Sequence, residues 1–269
     1  MSRLRRPARL LAAVPLLLVW GCGDDDVAAT STVALPPAGA GLDYQLGDAY
    51  PPAAEVGIVV RDRAEAPAAG RYSVCYVNGF QSQPDDASFW LEDHPDLLLH
   101  DGDGAPLVDP EWPDEYALDV STAQQREALL AIVGPWVDGC AADGFDAVEI
   151  DNLDSHTRYD GLDEDDAVAF ASELADRAHA AGLAIAQKNS AELLDRRDET
   201  GFDFAVVEQC NEFDECGAFV DAYDGSVLAV EYDEAAFAEG CDRFPELSLV
   251  LRDRLLVGPG DTGYVRRSC

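Results

Sequence analysis

Cationic side chains are scarce in this chain: 18 Lys and Arg stand against 53 Asp and Glu, a formal net charge of −35. Lysine occurs once, at Lys188. A surface of that sign repels polyphosphate, which argues against nucleic acid as a partner and leaves cationic ligands as the ones it attracts. Histidine is almost as rare. His94, His100, His156 and His179 are scattered and no Cys-x-x-Cys pair occurs, so the usual zinc spacings are missing and neither a metal nor a cofactor is expected. Long apolar runs are also lacking. The exception, Leu10–Trp20, comes after Arg3, Arg5, Arg6 and Arg9 and is too short for a membrane span, so residues 1–21 read as a secretory signal.

The residues at the end of that segment fit export. Val19-Trp20-Gly21-Cys22 resembles a bacterial lipoprotein cleavage box, which makes Cys22 a candidate lipidated residue and points to a cell-surface or periplasmic lipoprotein, or otherwise a secreted protein. Residues 22–41, rich in Ala, Pro, Thr and Asp, read as a flexible linker, and residues 42–269 as one folded domain. Six further cysteines, an even number, predict disulfides in an oxidising compartment. Spacing suggests Cys210 with Cys216 and Cys241 with Cys269, leaving Cys75 and Cys140 to pair or to remain buried thiols.

Short apolar segments near residues 56, 72, 117, 146, 183, 203, 226 and 247 read as strands, with helical patterns between them in the second half. Ser121-Thr122 can cap a helix from Ala123 to about Cys140, and Asp163–Asp166 supply an acidic first turn to another that Gly182 stops. Alternating βα units with eight strands predict an α/β fold, a (β/α)8 TIM barrel. Tyr44 to Pro52 reads as an irregular lead-in to it.

Strand after strand ends in a group capable of chemistry: Asn78, Asp119, Asp151, Lys188, Glu208, Glu231 and Arg252. In a parallel barrel these ends converge on one rim, where such folds place their active sites. Paired carboxylates there suit glycoside hydrolysis, one ionised as nucleophile or base and the other protonating the leaving oxygen. Asp151 and Glu208 are the pair this pattern selects, with Glu149 supporting from one layer deeper. Lys188, Asn152, Glu231, Asn78, Asp119 and Arg252 are candidates for positioning substrate, and Tyr44 and Tyr232 for stacking on sugar faces, together with Tyr50, Phe80, Trp90 and Trp112. Two alternatives remain open on the sequence. One is a carbohydrate-binding barrel without turnover; the other is a Schiff-base lyase using Lys188, against which the abundant acids argue because they raise an amine's pKa.

The segments CYVNGFQSQP, GFDAVEIDNLD, AHAAGLAIAQKN, FDFAVVEQCNEFDEC and VEYD, in that order from Cys75 to Asp233, resemble glycoside hydrolase family 114, the endo-α-1,4-polygalactosaminidases. The resemblance covers about Tyr44 to Cys269. It implies a (β/α)8 barrel whose catalytic acids lie in the DN and EQC motifs, here Asp151 and Glu208. It also implies an amino-sugar polysaccharide as substrate, whose ammonium groups match the negative charge of the chain. Two departures from the family pattern are Asn78-Gly79-Phe80-Gln81 at the second strand end and Ile150 in place of a proline before the DN motif.

Overall fold

The computed structural model describes residues 33–269; the signal segment, Cys22 and the linker up to residue 32 lie outside the described residues. Nine strands form one sheet: β1 (Gly41–Gln45), β2 (Val56–Asp62), β3 (Tyr72–Asn78), β4 (Ala147–Asp151), β5 (Ala184–Lys188), β6 (Phe204–Glu208), β7 (Val227–Glu231), β8 (Ser248–Arg252) and β9 (Arg266–Ser268). Each of the first seven pairs in parallel with the next, while β9 runs antiparallel to β8. At the seam Arg266 of β9 donates to the Leu42 carbonyl of β1 (3.1 Å), and Arg252 of β8 faces Asp43 of β1 at 3.6 Å. The result is an eight-stranded parallel barrel with a ninth strand padding its seam, the (β/α)8 class that the strand count predicts.

The count of eight is right, although one of its members is wrong. Residues Ala117–Val120 do not join the barrel. Ala117 and Leu118 make isolated antiparallel bridges to Gln81 and Leu98 within the long excursion between β3 and β4, and β3 pairs directly with β4, Val74 opposite Ala147. The strand that takes its place is β1, which the lead-in reading passes over because Asp43 and Gln45 look like loop residues. Both are buried, and their polar atoms are satisfied: Tyr50 and Gln45 donate to Asp43, and Arg61 donates to Gln45.

Alternation along the strands separates two cores. Leu42, Tyr44, Val60, Val74, Tyr76, Ala147, Ala186, Phe204, Val206, Leu228 and Val250 fill the barrel. The opposite phase, with Cys75, Val148, Ile150, Ile185 and Ala205, packs outward against helices. The main ones are α1 (Ala123–Asp143), capped by the Thr122 hydroxyl, and α2 (Glu164–Ala180), capped by Asp163. Three disulfides, Cys75–Cys140, Cys210–Cys216 and Cys241–Cys269, realise both expected pairs and settle the third. They fit an exported protein.

Candidate active site

Because residues of one phase face the barrel interior, the final inward residue of each strand reaches the C-terminal mouth. On β4 the inward series is Ala147, Glu149, Asp151; on β5 it is Ala184, Ala186, Lys188; on β6 it is Phe204, Val206, Glu208. These three adjacent strands therefore bring two acids and the single lysine to one point. Lys188 Nζ lies 3.4 Å from Asp151 Oδ1, 3.3 Å from Glu208 Oε2 and 3.0 Å from Glu149 Oε1, and it donates to the Tyr44 hydroxyl at 3.1 Å.

The chain turns abruptly after each of these side chains. Asn152, Asn189 and Gln209 come directly after Asp151, Lys188 and Glu208, and all three have left-handed backbones, with φ of 64°, 47° and 58°. Such geometry is costly for residues other than glycine and gathers at functional sites. Here the turned residues support the site. The Asn152 N–H donates to Asp151 Oδ1 (2.8 Å), and Asn189 Oδ1 accepts from the Glu208 N–H (2.8 Å).

The environments of the acids differ. Burial works against the charge of Asp151, but the Lys188 ammonium, the Tyr76 hydroxyl (2.6 Å) and the Asn152 N–H outweigh it and hold the carboxyl below its ordinary range. Glu208 is a quarter exposed and accepts from the Tyr232 hydroxyl as well as facing Lys188. Glu149 is fully buried; burial lifts its carboxyl to about 7 against the pull of Lys188, and its Oε2 has no partner. Burial pulls Lys188 down, yet Asp151 and Glu208 more than compensate, so its ammonium titrates well above the usual range.

A cavity of about 290 Å³ opens above this cluster. Tyr44, Tyr76, Trp112, Glu115, Asp151, Asn152, Lys188, Glu208 and Tyr232 all line it. A second cavity of about 520 Å³ adjoins it and shares Trp112, Asp151, Asn152 and Glu208, so the two acids sit where the cavities meet.

Of the other residues singled out in the sequence, Asn78 lies just beneath the mouth. Its side chain accepts from Asn152 Nδ2 (3.0 Å) and donates to Glu115 (3.3 Å). Three do not reach the cavity. Glu231 has the outward phase of β7: it accepts from the Asn211 N–H (2.7 Å) beside the Cys210–Cys216 disulfide, while the next residue, Tyr232, points inward. Asp119 accepts from the Ser121 N–H (3.0 Å) and from Gln125, bracing the start of α1. Arg252 is buried in the seam, donating to the carbonyls of Val257 and Val265. Among the aromatics, Phe80 and Trp90 are core residues, whereas Trp112 is 48% exposed at the mouth. The residue that the strand-end pattern misses is Glu115. It comes from the excursion before α1, where no periodicity marks it. Burial and the charges of Asp151 and Asp109 push its carboxyl up to about 7.

Comparison with known proteins finds relatives of the chain and of its fold. The model of glycoside-hydrolase family GH114 matches residues 24–269. Ega3 of Aspergillus fumigatus, solved in complex with galactosamine, superposes with a TM-score of 0.69 at 22% identity, over 88% of this chain and 98% of its own. The glycoside hydrolase domain of PelA from Pseudomonas aeruginosa gives a TM-score of 0.59 at 16% identity, over 82% of this chain and 98% of its own. At those identities the likeness is one of fold. No curated protein sequence matches the chain.

Proposed function

The chain belongs to glycoside-hydrolase family GH114, and from that premise we propose that it cleaves an α-linked, galactosamine-containing polysaccharide within the chain, using Asp151 and Glu208. The observation that carries this reading is the placement of both acids on one ammonium, Lys188, at the junction of two cavities. A polymer lying across both cavities would present its glycosidic bond to the pair.

Asp151, ionised and fixed by three donors, is suited to attack the anomeric carbon. Glu208 gives its proton to the leaving oxygen and then draws one from the water that releases the sugar. The Tyr232 hydroxyl and Lys188 fix the orientation of Glu208 for that role. Two oxygens within 3.4 Å of one nitrogen are separated by at most about 7 Å, which admits the ~5–5.5 Å of retaining enzymes and excludes most of the ~6.5–9.5 Å inverting range, and so favours retention. Lys188 is held protonated and has no free electron pair for imine formation, so the lyase alternative gains no support.

The decisive assay is incubation of the purified protein with partly deacetylated galactosaminogalactan. New reducing ends are expected, and Asp151→Asn should lower kcat by about a thousandfold or more. Retention of the glycan without new ends would leave a binding protein instead. Export belongs to the same proposal, with Cys22 as lipid anchor; fatty-acid labelling of the expressed chain should vanish in Cys22→Ala, and labelling that persists would remove the anchor.

A further inference from the structure

The carboxylates around the two cavities are not equivalent. Asp151 and Glu208 share Lys188, Asp109 and Asp154 pair with Arg158, and Glu111 pairs with Arg254. Asp62 and Glu115 have no cation within 4.0 Å among the described residues. Asp62 is nonetheless satisfied, accepting from the Ala64 N–H (2.8 Å) and Gln83 Nε2 (2.7 Å). Glu115 accepts a single long bond from Asn78 Nδ2, at 3.3 Å. A half-buried carboxylate with so few partners, facing a cavity that already holds Asp151, is costly unless a cation completes it.

Its position is also defined. Asn78 donates to Glu115 and accepts from Asn152, whose N–H holds Asp151, so two asparagines in series tie Glu115 to the residue that attacks the sugar. A group bound to Glu115 therefore shares a cavity and a side-chain network with the carboxylate that attacks the reacting carbon. On an amino sugar the cation available is the ammonium at C2, the neighbour of that carbon.

We propose that Glu115 selects the free amino sugar over its N-acetylated form by pairing with the ammonium group in the cavity. This rests on the polysaccharide as substrate and adds the residue that enforces it. The ammonium relieves the repulsion between Glu115 and Asp151 and supplies the donors that Asn78 alone does not. An N-acetyl group offers one N–H, no charge and a bulkier substituent against the same carboxylate.

Titration of galactosamine and of N-acetylgalactosamine into the folded protein, monitored by NMR, tests this without turnover, because neither monosaccharide contains a glycosidic bond to cleave. Wild type should bind galactosamine more tightly. Glu115→Gln, which keeps an oxygen for Asn78, should shrink that preference by roughly tenfold, mainly through weaker galactosamine binding. Glu115→Asp, which keeps the charge, should retain more of the preference, and thermal melts of both variants check folding. A preference unchanged in Glu115→Gln, or the same affinity for both sugars in wild type, would overturn the assignment. Failure to cleave the polymer would instead sink the proposed substrate while leaving the binding ratio to report on Glu115.

Discussion

Lys188 is surrounded by three carboxylates and a phenol while being only 2% exposed. Removing the cation from such an arrangement costs more than the attraction lost, because the acids that remain are buried and mutually repelling. Lys188→Met is therefore expected to lower stability by about 3–5 kcal/mol at pH 8, and by less at pH 5, where Glu149 takes up a proton. Denaturant titrations at the two pH values check this. Adding Glu149→Gln should return part of the loss at pH 8, and no return would mean that Glu149 is not the acid Lys188 neutralises. A compact ammonium suits this point, since a planar guanidinium cannot gather four neighbours around one atom.

The three strands that carry the site are each followed by a left-handed residue, and the phase at which each strand closes decides what could be read from the sequence. Asp151, Lys188 and Glu208 were legible because each closes a short apolar run at the inward phase of its strand, and three adjacent strands repeat the pattern. Glu231 shows how narrow that legibility is: it also closes a strand, but at the outward phase, and only knowledge of which alternate residues fill the barrel separates it from Tyr232. Asp119 fails for another reason. Its apolar run is real and buried, yet it pairs with Gln81 and Leu98 in an excursion, and pairing partners distant in sequence leave no local mark. The reverse applies to β1, whose inward Leu42 and Tyr44 alternate with polar residues that only the folded seam satisfies. Glu115 belongs to a segment without periodicity, so its role emerges only when the cavity is assembled around it.

Across the whole molecule, negative charge is carried in two ways, as a solvated excess of acids and as a few carboxyls whose burial pushes them towards neutrality. Glu149, Glu231 and Glu115 all titrate near 7, in each case chiefly because of burial. A carboxyl whose folded pKa is raised binds more protons folded than unfolded, so its stabilisation is complete below the unfolded value of 4.5 and is lost as pH rises through about 7. Mutual repulsion among the surface acids acts in the same direction. Thermal stability should accordingly peak near pH 5 and decline towards pH 8. Glu231 isolates the buried contribution because it is fully buried, faces no cation among the described residues and has an Oε2 without a partner. Glu231→Gln should leave the melting temperature nearly unchanged at pH 5 and raise it at pH 8, by an amount corresponding to on the order of 2 kcal/mol. Melting curves of the two proteins that run parallel from pH 5 to pH 8 would show that Glu231 ionises without penalty. Because Glu231 lies outside the cavity, activity per folded molecule should not track this stability change, which separates it from the titration of Glu115 at the mouth.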